Sequence, residues 1–173
     1  MGDGTPLEPR ELRAWTGYQR MSSALQARLQ QSLQRDSGLS WADYEVLFAL
    51  HSSPGGRLRS LDLRCALGWE KSRLSHQVRR MAERGLLCRE PNPADARSAV
   101  VCLLDRGRRA IERAAPEYTA RLRADFLDLL TPAQLDALAE ISETVLAHLA
   151  RDEEELADRP SAAPDADGPA AAR

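Results

Sequence analysis

Apolar residues return along this chain at two different spacings, and the switch between them marks out its parts. From residue 9 to about 34 the spacing is three or four. Ala14, Tyr18, Met21, Leu25 and Leu29 share one face, the pattern of a long amphipathic helix. Asp36-Ser37-Gly38 ends it. Ser40 stands as N-cap for a helix over 41–51, with Asp43 near its positive end. Trp41, Tyr44, Val46, Leu47, Phe48 and Leu50 make this helix apolar on most sides, which predicts burial. Pro54-Gly55-Gly56 reads as a turn and residues 57–59 as a very short strand. Ser60 is placed to cap a short helix over 61–67 that stops at Gly68, and a further helix over 71–84 stops at Gly85. The pattern then changes. Residues 86–90 and 99–104 read as extended and largely apolar, with Pro91 and Pro93 assigned to the loop between them because proline cannot join a strand ladder. Helical spacing resumes at Asp105, placed as N-cap of a helix to about residue 130. Its stripe is Ile111, Ala115, Tyr118, Leu122 and Leu129, and a kink is expected at Pro116. Thr131-Pro132 opens the last helix, a cap followed by a first-turn proline, with Leu135, Leu138, Ile141, Val145 and Leu149 on one stripe.

The central order of parts is a short helix, a glycine-marked turn, a polar helix and a hairpin. It predicts a mainly α (α+β) fold, a winged helix-turn-helix with a small β-hairpin wing. On the polar helix Leu74, Val78 and Met81 share the apolar face. Ser72, His76, Arg79 and Glu83 lie opposite, with Arg73, Ser75 and Arg80 at the flanks. A helix fits the major groove of B-form DNA, and the N-terminal half of such a helix meets the base edges. The preceding short helix then lies across the backbone, with Ser60 and Arg64 near phosphates. At the hairpin tip Arg97 suits a narrow, negative minor groove, and Asp95 is placed to hold its guanidinium by a charge-assisted hydrogen bond.

Charge distribution supports this reading where net charge does not. The chain carries a formal −2 overall, yet residues 57–113 hold 14 basic and 7 acidic residues, against 10 basic and 19 acidic elsewhere. A basic centre in an acidic scaffold is the footprint of one polyanion-binding module. The preference for arginine, 23 of 24 basic residues, accompanies abundant alanine and is read as coding bias. No apolar run is long enough to cross a membrane. The first residues show no secretory pattern, so a cytoplasmic location is expected. Residues from about 158 are rich in Pro, Ala, Asp and Gly and lack material for a core, which predicts a disordered tail.

The residues Leu39-Ser40-Trp41-Ala42-Asp43-Tyr44-Glu45-Val46-Leu47, Ser72-Arg73-Leu74-Ser75-His76-Gln77-Val78-Arg79-Arg80-Met81, Arg84-Gly85-Leu86, Asp95-Ala96-Arg97 and Asp105-Arg106-Gly107 together resemble the MarR (multiple antibiotic resistance regulator) family of winged-helix transcriptional regulators. The likeness runs from about residue 10 to 150. It departs at Leu104, where the family has a threonine that opens the next helix; Asp105 is expected to take over that capping role. The resemblance implies a homodimer in which the terminal helices interdigitate about a two-fold axis. The stripes at the two chain ends agree, since a minimal winged helix would leave them uncovered. The expected organisation is a disordered N-terminus over 1–8, a dimerisation region over 9–36 and 105–150, a DNA-binding lobe over 39–104 and a disordered tail over 158–173. A two-fold dimer predicts a pseudo-palindromic operator with half-sites about one helical turn apart. The DNA-contacting set is Ser60, Arg64, Lys71, Ser72, Arg73, Ser75, His76, Arg79, Arg80, Asp95 and Arg97.

The resemblance also implies a repressor released by a small aromatic, phenolic or antibiotic-like effector, bound between the dimer helices and the DNA lobe. Trp15, Tyr18, Tyr44 and His51 are the candidate lining; the plainer reading makes the aromatics core packing and His51 a helix-end residue. Some members of the family are thiol-based sensors whose reactive cysteine lies in the first helix, where this chain has none. A redox-sensing regulator on the same scaffold is the alternative. A hairpin centred near residue 95 sets Cys88 opposite Cys102, both pointing away from the side of Leu87 and Leu103, whereas Cys65 stands apart. His51, His76 and His148 fit no metal-ligand spacing, and no metal or other cofactor is expected. The chain has no glycine-rich phosphate loop, nucleophile elbow or clustered acid–base set, so an enzyme is not expected. A winged helix that binds protein in place of DNA would leave its affinity for DNA, if any, unchanged on loss of Arg79 or Arg97.

Overall fold

The computed structural model describes residues 6–92 and 95–157, with side chains at 6–92 and 99–151. The elements run α1 (Pro9–Ser37), α2 (Trp41–His51), a 3-10 turn at Pro54–Gly56, β1 (Arg57–Arg59), α3 (Ser60–Leu67), α4 (Lys71–Glu83), β2 (Leu87–Asn92), β3 (Asp95–Leu103), α5 (Asp105–Asp125), a 3-10 turn at Leu127–Leu129 and α6 (Pro132–Ala157). Predominantly helical, with a three-stranded antiparallel sheet in the order β1-β3-β2, the chain has the expected fold class. The described residues from 130 onward, which include α6, form a unit separate from the described residues up to 129.

Local chemistry explains most boundaries. Ser40 and Asp43 form a reciprocal capping box on α2: the Asp43 amide donates to the Ser40 hydroxyl at 3.1 Å and the Ser40 amide donates to the Asp43 carboxylate at 3.0 Å. Thr131 and Gln134 do the same for α6, at 3.3 Å and 2.9 Å. Gly38 and Gly68 take left-handed conformations at the ends of α1 and α3. The core of the first unit gathers Leu47, Leu50, Leu63, Met81, Leu87, Val101 and Ile111, all buried, so α2, α3, α4, α5 and the sheet share one interior.

Several expectations are corrected. Ser60 is the first helical residue of α3, and Arg59 occupies the cap position; its guanidinium holds the first-turn Asp62 carboxylate at 2.7 and 2.9 Å. Asp105 likewise begins α5 and does not cap it. The half-in residue is Leu104, whose amide donates to the Leu86 carbonyl at 3.1 Å and whose carbonyl accepts from Arg108 at 2.8 Å. The start of α5 is thereby tied to the α4–β2 turn. This helix also ends earlier, at Asp125, because Phe126 leaves helical geometry. α1 extends to Ser37, and Phe48 of α2 is half exposed in spite of its apolar surroundings in sequence. The strands are longer than the expected 86–90 and 99–104. Pro91 pairs with Ala99 inside β2, and the backbone of Asp95 to Arg97 belongs to β3. Proline is admitted because β2 is an edge strand, where one side of the backbone needs no ladder partner. Pro93, residues 1–5 and the tail from 158 lie outside the described residues, as do the side chains of Asp95 and Arg97.

Candidate nucleic-acid interface

Amphipathicity sets what α4 can present. Leu74, Gln77, Val78 and Met81 are buried, which turns Lys71, Ser72, Arg73, Ser75, His76, Arg79 and Arg80 outward, all exposed. The guanidinium of Arg73 lies 4.0 Å from the centroid of the buried Trp69 ring, a cation–π contact that braces its stem beside the turn between α3 and α4. Ser60 and Arg64 of α3, Lys71 and Ser75 of α4, and Arg89 and Pro91 of β2 line one open groove. Ser72, Ser75, His76, Arg79 and Arg89 line a second recess beside it. The structure therefore brings Ser60, Arg64, Lys71, Ser72, Ser75, His76 and Arg79 along adjoining, mainly cationic recesses, with Glu90 also lining the first; Arg73 and Arg80 are exposed on α4 but line neither. It adds Arg89, which the sequence reading passed over. Leu87, Arg89 and Pro91 alternate with Cys88 and Glu90, so Arg89 follows the buried Leu87 on the core-facing side and emerges beside α4. Period-two alternation through residue 91 was the available signal, obscured by placing Pro91 in a loop.

The orientation of α4 is set by a buried polar cluster. Asp43, 2% exposed, accepts from Gln77 Nε2 at 2.8 Å and from Arg84 Nη1 at 2.7 Å, in addition to its capping role on α2. Burial pushes the Asp43 carboxyl up, but the bonds from Arg84 and Ser40 outweigh it and hold the group below the usual carboxylate range. The α2 N-terminus is thus clamped to the middle and the end of α4. Gln77 and Arg84 were not singled out as a pair with Asp43; the clue was a polar residue inside the apolar stripe of α4.

The four aromatic and histidine candidates fall into separate places. Trp15 and Tyr18 stack at 5.9 Å on the exposed part of α1. Tyr44 is buried and packs against Trp41 at 5.6 Å, Phe48 at 5.8 Å and Tyr118 at 4.8 Å. No ring contact joins the two groups among the described residues. Glu45 Oε2 and His51 Nδ1, both on α2, are buried and make no hydrogen bond among the described residues, and burial pushes the Glu45 carboxyl up. Cys88 and Cys102 are direct partners across β2 and β3, on the face opposite Leu87 and Leu103. All three cysteines are free thiols, and burial above all pushes the Cys102 thiol up to about 11.

A helix-turn-helix of α3 and α4 packed on α2, followed by a β2–β3 wing beside an exposed cationic helix face, defines a winged helix-turn-helix protein. No curated protein sequence matches the chain. The MarR family model matches residues 37–98. AbsC, a MarR family transcriptional regulator from Streptomyces coelicolor, is 35% identical, the match covering 84% of this chain and 98% of that one with a TM-score of 0.81. Sco3205, a MarR family transcriptional regulator of the same organism whose structure is a complex with DNA, is 33% identical over 92% of this chain and 95% of its own, with a TM-score of 0.80. BpsR of Bordetella bronchiseptica, at 24% identity over 77% of this chain and 98% of its own, shares the fold with a TM-score of 0.65. The chain belongs to the MarR family of transcriptional regulators. Among the described residues no helix is long and apolar enough to cross a membrane.

Proposed function

We propose that the chain is a homodimeric, sequence-specific double-stranded DNA-binding repressor in the cytoplasm, released from a pseudo-palindromic operator by a small aromatic or phenolic ligand. The observation that carries the DNA reading is the cationic face of α4, continuous with Arg64 of α3 and Arg89 of β2. Sco3205, a third identical to this chain, is seen bound to DNA, which supports the same use of the surface here. In this reading Lys71, Ser72, Arg73, Ser75, His76, Arg79 and Arg80 enter the major groove, Ser60 and Arg64 meet phosphates, and Asp95 braces Arg97 in the flanking minor groove. Homodimerisation is supported by the exposed apolar side chains of α1 (Leu12, Trp15, Tyr18, Met21) and of α6 (Ile141, Val145, Leu146, Leu149), which need cover in water. Ligand release is supported by the aromatic group around Tyr44 with the unpartnered polar atoms of Glu45 and His51, and by BpsR, whose DNA binding is regulated by 6-hydroxynicotinic acid.

Selection of bound sequences from random DNA, followed by titration of the winning duplex, tests the proposal. The expected result is a two-fold-related motif whose affinity falls steeply with salt, and a loss of about 1–3 kcal/mol on Arg79→Ala. Recovery of no motif, with an unchanged weak affinity in Arg79→Ala, overturns it.

A further inference from the structure

The face of the wing opposite Leu87 and Leu103 carries two thiols and a carboxylate. Cys88 and Cys102 face each other in register across β2 and β3, and Glu90, two residues on from Cys88, projects from the same face. Their ligand atoms all lie within 4.8 Å of one another. The Cys88 thiol stands 3.8 Å from Glu90 Oε1, and the other carboxylate oxygen of Glu90 is held by Arg57 of β1, the register partner of Cys102. Cys102 is 4% exposed and Cys88 and Glu90 are half-buried, so the cluster lies in the sheet surface and is reached from one side.

We propose that Cys88, Cys102 and Glu90 form a binding site for a thiophilic divalent cation of the Zn²⁺ class. Two sulfur donors select a soft or borderline ion over Mg²⁺ or Ca²⁺, whose ligand sets are all oxygen. Zinc bonds of about 2.3 Å to sulfur and about 2.0–2.2 Å to a carboxylate oxygen require ligand atoms about 3.5–4 Å apart in a tetrahedron. Ligand atoms within 4.8 Å of one another, with Cys88 Sγ and Glu90 Oε1 at 3.8 Å, lie within about 1 Å of that spacing. Binding releases the two thiol protons to solvent. Two thiolates and a carboxylate carry three negative charges; the ion cancels two and the Arg57 guanidinium offsets the third. Three protein ligands leave the fourth position to water. The ion would join β2 to β3 at the base of the hairpin that ends in Asp95 and Arg97. The proposal stands whether or not the chain binds DNA.

The test uses the full chain, reduced and metal-free, titrated with Co²⁺ and then Zn²⁺. One equivalent of Co²⁺ is expected to give the visible bands of a tetrahedral site with sulfur-to-metal charge transfer, and Zn²⁺ to remove them. Cys88→Ser and Cys102→Ser abolish the bands, whereas Cys65→Ser retains them. Glu90→Gln weakens binding by at least the about 10–100-fold that loss of an outer-sphere partner costs. Because a cysteine variant can misfold, a second measurement uses the unaltered chain: Zn²⁺ slows alkylation of Cys88 and Cys102 and leaves the exposed Cys65 unprotected. Absence of sulfur-to-cobalt bands, their persistence in Cys88→Ser/Cys102→Ser, or equal protection of all three cysteines overturns the proposal.

Discussion

Asp43 shows how much one buried charge can decide. It satisfies the α2 N-terminus, the buried amide of Gln77 and the guanidinium of Arg84, two residues 34 and 41 positions away. Arg84 is 40% exposed, so the ion pair itself contributes less than a fully buried one. The larger cost of removing Asp43 is the half of the capping box that its carboxylate supplies to the Ser40 amide, together with an unsatisfied buried amide at Gln77. Asp43→Ala is therefore expected to lose about 2–3 kcal/mol in urea denaturation at neutral pH. Its carboxyl is held below its unfolded value of about 3.9. The stabilisation is thus complete above that pH and is lost as pH falls through the lower folded value. Below pH of about 4 the native sequence should lose stability more steeply than Asp43→Asn, which has no charge to neutralise. The capping half of this role was legible, because Ser40 and Asp43 lie three residues apart before an apolar run. The half that orients α4 was not, because nothing local pairs residue 43 with residues 77 and 84.

At the scale of elements, the wing and α5 meet through backbone. Leu104 donates to the Leu86 carbonyl, and the first turn of α5 sits so close that a Cβ on Gly107 would lie 2.1 Å from that same oxygen. The contact is with backbone, which cannot rotate away. Gly107→Ala is expected to cost about 1–3 kcal/mol by overpacking, read as a drop in thermal midpoint, and to move the wing against α4. The elements themselves were largely legible: α2, β1 and the starts of α1, α4 and α6 fall where caps and periodicity put them. Ser60, Pro91 and Asp105 depart from their commonest local roles for different reasons. At Ser60 the neighbouring Arg59, coming straight from β1, takes the cap position and holds Asp62. At Pro91 the open edge of the sheet admits a proline, and at Asp105 the distant Leu86 carbonyl fixes Leu104 as the half-in residue.

For the molecule as a whole, the apolar side chains left outside its core are the main energetic fact. On α6 alone Ile141, Val145, Leu146 and Leu149 are each at least half exposed. Burying two such side chains at a dimer interface contributes about 3 kcal/mol or more. Ile141→Asp/Val145→Asp should therefore weaken self-association at least about a hundredfold in sedimentation velocity, and weaken operator binding with it. An unchanged association constant would rule out these α6 side chains as contacts of the proposed dimer.

The sequence by itself determined the helical periods, the caps at Gly38, Ser40, Gly68 and Thr131, and the chemistry on the outward face of α4. These depend on residues within four positions of one another, where backbone geometry leaves few choices. Only the tertiary structure decided that Asp43 clamps α4, that Arg89 joins the cationic groove, that Phe48 stays half exposed, and that Glu90 completes a cluster with two thiols. Those relations cross between elements, and packing alone sets which faces meet.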